Sequence, residues 1–174
     1  MLVTNNLLVT YHLQYMPVEY VHLGSFSASN RVLEIDVQIK FSLSATEDSW
    51  TEYFPMKAFL DTGASVTHIS KSVVPEQILE LYKNFTIKGR AATTTTSGIR
   101  ILKCCLRFPG LTASGVLFDY IFYTLRTIDD TKVIEDRLKE GLPHYPLIVG
   151  NDILEGAILI CDGPSQRYSL QFNL

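Results

Sequence analysis

Polar and apolar residues alternate along VLEIDVQIKFS, residues 32–42, with the period of two that marks a half-buried strand. The polar run SATEDS follows as a loop. WTEYFPMKAFL, residues 50–60, is β-prone again, so the two segments predict a hairpin whose second strand runs into Asp61. Pro55 has no N–H to give a ladder and marks an edge or a bulge in that strand. Residues 65–70 predict a further short strand. In SVVPEQILELYKN the Pro-Glu step opens a short helix over 75–83, with Ile78, Leu79 and Tyr82 on its apolar side. FTIKGRAATTTTSGIRILKCCLRF is β-prone on both sides of a small-residue middle, which predicts an extended hairpin turning at Ser97-Gly98. Residues 117–125 are apolar and aromatic enough for a buried strand. TIDDTKVIEDRLKEGLP has a polar start, helical spacing of Val133, Ile134 and Leu138, and a Gly-Leu-Pro stop, so a helix is expected within 128–141. The final LIVGNDILEGAILICDGPSQRYSLQFNL predicts a short apolar strand, a Gly-Asn-Asp turn, one helical turn, and two strands joined by Asp-Gly-Pro-Ser.

Composition narrows what such a mainly β chain does. Its 174 residues, 47% hydrophobic, suffice for one domain with a packed core, and the longest apolar runs fall far short of the roughly 20 residues that span a bilayer. No membrane partner is expected. The formal charge of −3 gives no basic surplus for phosphate binding, so no nucleic-acid partner is expected either. Lys88, Arg90, Arg100, Lys103 and Arg107 fall on the predicted strand pair and read as a solvated face. The first thirty residues hold no Lys or Arg, so they lack the positive region that precedes the apolar core of a secretion signal, and a cytoplasmic setting is expected. Cys104, Cys105 and Cys161 show no C-x-x-C spacing and read as reduced packing residues. His12, His22, His68 and His144 are scattered without ligand spacing, so neither a metal nor any other cofactor is expected.

One charge is conspicuous in this pattern. Asp61 stands between an apolar run and a Thr-Gly step, in KAFLDTGASVTHIS. Asp-Thr-Gly alone is common, and an Asp before Gly often does no more than bond neighbouring N–H groups in a turn. Its surroundings are more specific: Phe59-Leu60 before it, Ala64-Ser65 after it, and far downstream Leu147-Ile148-Val149-Gly150-Asn151-Asp152-Ile153-Leu154. Together they resemble the two signatures of retropepsin-like aspartic proteases, the D-T-G-A turn and an apolar-apolar-Gly-Arg/Asn-Asp/Asn segment. The resemblance runs over most of residues 32–174 in element order. Asp61 to Ser65, with Lys71 and Pro75-Glu76, also looks like the proteases of plant pararetroviruses, the caulimovirid group.

The resemblance implies a mainly β, retropepsin-like acid-protease half-barrel with one or two short helices, active as a homodimer. Residues 31–174 would form that domain, and 1–30 an N-terminal extension or extra edge strands. It implies an aspartic endopeptidase acting on a peptide or on a viral or retroelement polyprotein that includes itself, in the host-cell cytoplasm or a virus-like particle. Asp61 would be catalytic. Thr62, Gly63 and Ala64 would complete the active-site turn, the Thr62 hydroxyl tying two such turns together. Ser65, Val66, His68, Thr94, Thr95 and Ile148, with Thr67 as a further candidate, would line the substrate cleft. Gly150 and Asp152 would give structural support, Asp152 by bonding to the turn. The hairpin over 88–102 would be a flap closing over the substrate, with its tip within 93–98.

The physical logic agrees with that implication. Two carboxylates close enough to share one proton titrate as a unit, and this chain offers one suitable turn. Cys161-Asp162-Gly163-Pro164 lacks the Thr or Ser and reads as a hairpin loop. GASVT has Thr67 where a serine-hydrolase elbow needs Gly, which excludes Ser65 as a nucleophile of that kind. The chain departs from the family pattern in having Asn151 where many retroviral relatives have Arg, in a flap without a Gly-rich tip, and in a long interval between Gly63 and Gly150. Those departures keep a second reading in view, a dimerisation or peptide-binding module on the same fold without turnover.

Overall fold

The computed structural model describes residues 18–26, 32–44, 46–91, 94–112, 117–129, 131–141 and 143–173. Ten strands account for most of it: β1 Val18–Ser25, β2 Glu34–Phe41, β3 Phe54–Leu60, β4 His68–Ser70, β5 Thr86–Ala91, β6 Thr94–Thr112, β7 Leu117–Ile128, β8 Leu147–Val149, β9 Ala157–Asp162 and β10 Arg167–Asn173. Three helices join them, α1 Glu76–Leu81, α2 Thr131–Lys139 and α3 Asn151–Leu154, with a 3-10 turn at Lys71–Val73.

The alternation read in residues 32–42 becomes the wall of a barrel. Ile35, Val37, Ile39 and Phe41 point inward and are buried, while Glu34, Asp36, Gln38 and Lys40 face out. In β3 the inward set is Met56, Ala58 and Leu60, and in β6 it is Leu102, Cys104, Leu106 and Phe108. Strand order runs β2-β3-β8-β4-β7-β6, and β2 pairs with β6 as well as β3, so these six close into a ring. Closure removes free edges and encloses a core that α1 seals with Ile78 and Leu79 and α3 with Ile153 and Leu154. Pro55 sits opposite Gln38 on β2, below the stretch where β3 meets β8 at Ala58–Leu60, so its missing donor breaks no described ladder bond.

A second layer leaves β6. β1 pairs with β6 at Tyr20 and Val21 and with β10 along its length, and β10 pairs with β9. Within residues 1–30, β1 is therefore an inner strand rather than an edge. Tyr168, Leu170 and Phe172 of β10 are buried in the common core, with the Phe172 ring 5.3 Å from Phe108.

Several expected details shift. The β5–β6 hairpin does not turn at Ser97-Gly98: Gly89 lies opposite Thr96 and Ala91 opposite Thr94, so both residues belong to β6 and the reversal falls between Ala91 and Thr94, outside the described residues. A bulge between Ile87 and Gly89 absorbs the register change. The strand expected over 65–70 is confined to β4, because Val66 O and the Thr67 N–H are committed to hydrogen bonds in the loop, with His68 Nδ1 and with Asp152. Cys104 and Cys105 are buried and outside any disulfide, as packing residues should be, whereas Cys161 is exposed on β9, a strand that pairs only with β10 among the described residues. Lys103 and Arg107 lie over aromatic rings, at 5.1 Å from the Trp50 centroid and 3.8 Å from that of Tyr53, instead of extending into solvent. Among the described residues no helix is long and apolar enough to cross a membrane, and no cluster of acidic, His or Cys side chains has the makings of a metal site.

Candidate active site

β3 delivers Asp61. Inward and outward positions alternate through Ala58, Phe59 and Leu60, which places Asp61 in sequence with outward Phe59, at the point where the strand leaves the barrel. The Asp61 N–H still donates to the Val149 carbonyl at 3.0 Å, the last rung of the parallel β3–β8 pairing, and the chain then folds back as Ala64 N–H bonds the Asp61 carbonyl at 3.1 Å. One carboxylate oxygen, Oδ1, accepts from Gly63 N–H at 2.8 Å. Among the described residues Oδ2 has no hydrogen-bond partner, and the side chain is half-exposed. The turn-forming role open to any Asp-x-Gly is thus real here, and it occupies one oxygen of two.

Sequence-distant residues clamp this turn from below. Asn151, at the start of α3, donates its backbone N–H to Ala64 O at 2.8 Å and its side-chain Nδ2 to Thr62 O at 2.9 Å. Asp152 accepts the Thr67 backbone N–H on both oxygens at 2.8 Å and the Thr67 hydroxyl at 2.6 Å. That hydroxyl in turn accepts from Gly150 N–H at 3.0 Å, so Thr67 closes a cycle between the two segments. Gly150 has an ordinary extended backbone, φ −98°, and is required for space: a Cβ there would stand 2.5 Å from the Val66 carbonyl carbon and 2.9 Å from Ala64 O.

The remaining expected residues fall into two groups. Thr62, Gly63 and Ser65 are exposed at the tip, Ala64 and Val66 are half-buried, and the Thr62 carbonyl rather than its hydroxyl makes the bond within this chain. His68 and Ile148 are direct neighbours across the β4–β8 pairing and both are half-buried on the outer face, with the His68 Nδ1–H donating to Val66 O at 3.2 Å. Thr67 is not a cleft residue: it is fully buried, because its polar atoms belong to the clamp. Thr94 and Thr95 lie on β6 opposite Ala91 and Arg90, and their side chains fall outside the described residues. Sequence reasoning passed over the clamping roles of Thr67 and the Asn151 side chain; the signal was a hydroxyl residue among the inward-facing positions of VTHIS and an amide directly after the indispensable glycine.

A family model described as retroviral aspartyl protease matches residues 27–125, more than half of the chain. No curated protein matches. Among solved structures, the retroviral protease-like domain of Ddi1 from Leishmania major is 16% identical, covering 76% of this chain and 84% of that one, with a TM-score of 0.38.

Proposed function

The chain belongs to the retroviral aspartyl protease family, and from that premise we propose that it is an aspartic endopeptidase whose site is completed by a second copy of itself. The observation that carries this reading is the clamped turn: Thr62, Ala64 and Thr67 are fixed from Asn151 and Asp152, and Asp61 is left with one carboxylate oxygen that has no partner among the described residues. Such a turn supplies half of a dyad. A twofold axis through it would bring two Asp61 carboxylates together, and like charges so close share one proton.

In the reaction that follows, the ionised Asp61 takes a proton from a water lying between the two carboxyls, and the hydroxyl oxygen bonds to the scissile carbonyl carbon. The protonated Asp61 of the second copy passes its proton to the carbonyl oxygen, giving a neutral gem-diol. The first carboxyl then protonates the amide nitrogen, the C–N bond breaks, and the diol returns its proton to the second carboxylate as it collapses to the new acid. No covalent acyl-enzyme is formed. The Gly63 N–H bond to Oδ1 restrains the carboxylate while this happens, and the β5–β6 hairpin would be the flap that closes over the peptide.

The family's retroviral description supports a polyprotein containing the protease itself as the substrate class, and the residues from Asp61 to Ser65 with Lys71 and Pro75-Glu76 support a pararetroviral source. A purified Asp61→Asn variant compared with the parent on a peptide library, with and without a pepstatin-type inhibitor, tests the activity. Loss of cleavage with the variant and with inhibitor is expected; equal cleavage by both proteins overturns it, and no cleavage by either leaves a dimerisation or peptide-binding module as the reading. Sedimentation across concentration tests the dimer, which an active monomer at every concentration contradicts.

A further inference from the structure

The strand registers place six side chains in one row around the outside of the barrel, beside the Asp61 turn. Glu34 lies opposite Phe59, Phe59 opposite Ile148, Ile148 opposite His68, His68 opposite Arg126, and Arg126 opposite Ile101. Residues opposite one another in a sheet share a face, and all six are partly exposed while their chain neighbours Ile35, Leu60, Val149, Ile69, Thr127 and Leu102 are buried. Asp61 stands two positions beyond Phe59, one residue past the end of β3 and still bonded to the Val149 carbonyl, and so continues this face.

The row is electrically lopsided. At one end the only acid, Glu34, is already held by the Lys57 ammonium and by the Tyr145 hydroxyl, which donates to its Oε2 at 2.8 Å. At the other end Arg126 has no acidic partner among the described residues, and beside it His68 is pinned through Nδ1 to Val66 O. A permanent cation with no counterion among the described residues, flanked by an imidazole and an isoleucine, is a receptor for a carboxylate. Three strand spacings separate β3 from β7, about 14 Å, and the reach of the arginine side chain shortens this to the span of about two to four residues of an extended peptide.

We infer that Arg126, with His68 and Ile148 as its walls, forms a side-chain subsite that selects an acidic residue, Asp or Glu, close to the cleaved bond of the substrate. The inference rests on the protease reading above and adds the class of sequence cleaved. Arg126 acts here on binding and on positioning, remote from the reacting atoms.

The test is a set of peptide pairs differing only as Glu against Gln at each position within four of the cleaved bond, with kcat/KM measured for the parent, Arg126→Gln, Arg126→Lys and Arg126→Glu. The parent is expected to prefer Glu at one position by about tenfold or more, the worth of a charge-assisted hydrogen bond. Arg126→Gln should bring that ratio to near unity, Arg126→Lys should keep much of it, and Arg126→Glu should turn the preference towards Lys at the same position. An active parent with no acidic preference, or a preference that survives Arg126→Gln, overturns the subsite and leaves the protease reading standing. A parent that cleaves no peptide, alongside an equally silent Asp61→Asn, overturns both.

Discussion

Thr67 and Asp152, 85 residues apart in sequence, are joined by three hydrogen bonds: the Thr67 N–H reaches both carboxylate oxygens at 2.8 Å and its hydroxyl donates to one of them at 2.6 Å. Thr67 is completely buried, and its oxygen also receives Gly150 N–H, so no atom of this node can be removed without orphaning another. Thr67→Val keeps the volume and deletes the hydroxyl, leaving Gly150 N–H without its partner and Asp152 Oδ1 with the Thr67 N–H alone. It should cost about 1–3 kcal/mol, one unsatisfied buried donor. Thr67→Ser restores the oxygen and should recover most of that loss. Urea midpoints at unchanged m-value measure both, and a Val variant as stable as the parent would show the node to be dispensable.

Gly150 and Gly141 should respond to alanine for opposite reasons. At Gly150 the backbone suits any residue, but the added methyl meets the Val66 carbonyl at 2.5 Å, and backbone cannot step aside as a flexible side chain can. Gly150→Ala is expected to cost about 3 kcal/mol or more and to abolish activity by pushing the 61–67 loop outward. Gly141 has φ +67° and open space around it, so Gly141→Ala should cost about 1 kcal/mol through backbone strain, and Gly141→Asn less. Thermal unfolding of the three variants, with hydrogen exchange at the Val66 and Thr67 amides, distinguishes steric displacement from strain.

Much of this was readable from the chain alone, for a physical reason. Period-two alternation in residues 32–42 has one solution once a core exists, and the inward set Ile35, Val37, Ile39 and Phe41 follows from it. Asp61 and Gly150 stood out in the sequence through the two motifs that resemble the retropepsin-like signatures, and the structure brings those two segments together. Arg126 was not legible as a neighbour of His68: that contact is a parallel pairing between β4 and β7, and its register depends on a crossover whose geometry no local pattern encodes. The hairpin reversal was misplaced because Ser97-Gly98 resembles a turn, whereas the bulge between Ile87 and Gly89 moves the register along the strand.

The Glu34 cluster predicts an acid limb in stability. The Lys57 ammonium hydrogen-bonded to Glu34 holds its carboxyl below the usual glutamate range, partial burial works against this, and the Tyr145 hydroxyl adds to the lowering. A carboxyl whose folded value is depressed contributes stability that is complete above its unfolded value and is lost as pH falls through the folded one. Unfolding free energy should therefore drop below the ordinary glutamate range, and Glu34→Gln should flatten that part of the profile. The Lys57 side chain is 56% exposed, so screening keeps the neutral-pH gain below about 1 kcal/mol and added salt should shrink it. Tyr145→Phe should remove part of the acid dependence, since its hydroxyl is one of the two donors; an acid limb identical in all three proteins would assign it to other carboxyls.

Asn151 offers the sharpest separation of stability from catalysis. Its side chain is exposed and its single described bond, Nδ2 to Thr62 O at 2.9 Å, tethers the turn at the residue after Asp61 without adding to the core. Asn151→Ala should therefore cost only about 1 kcal/mol in unfolding, one partly solvated hydrogen bond. On the proposed dimeric mechanism it should lower kcat by about tenfold or more, because a turn free to shift loses the alignment that two paired carboxyls would need. Asn151→Asp keeps the shape, cannot donate to Thr62 O, and sets a negative charge beside the Asp61 turn. A like charge disfavours ionisation, so the acid limb of its pH–rate profile should move upward relative to Asn151→Ala while the two share a similar loss at the optimum. If the aspartate variant shows the same acid limb as the alanine variant, residue 151 acts only as a tether and its field does not reach Asp61.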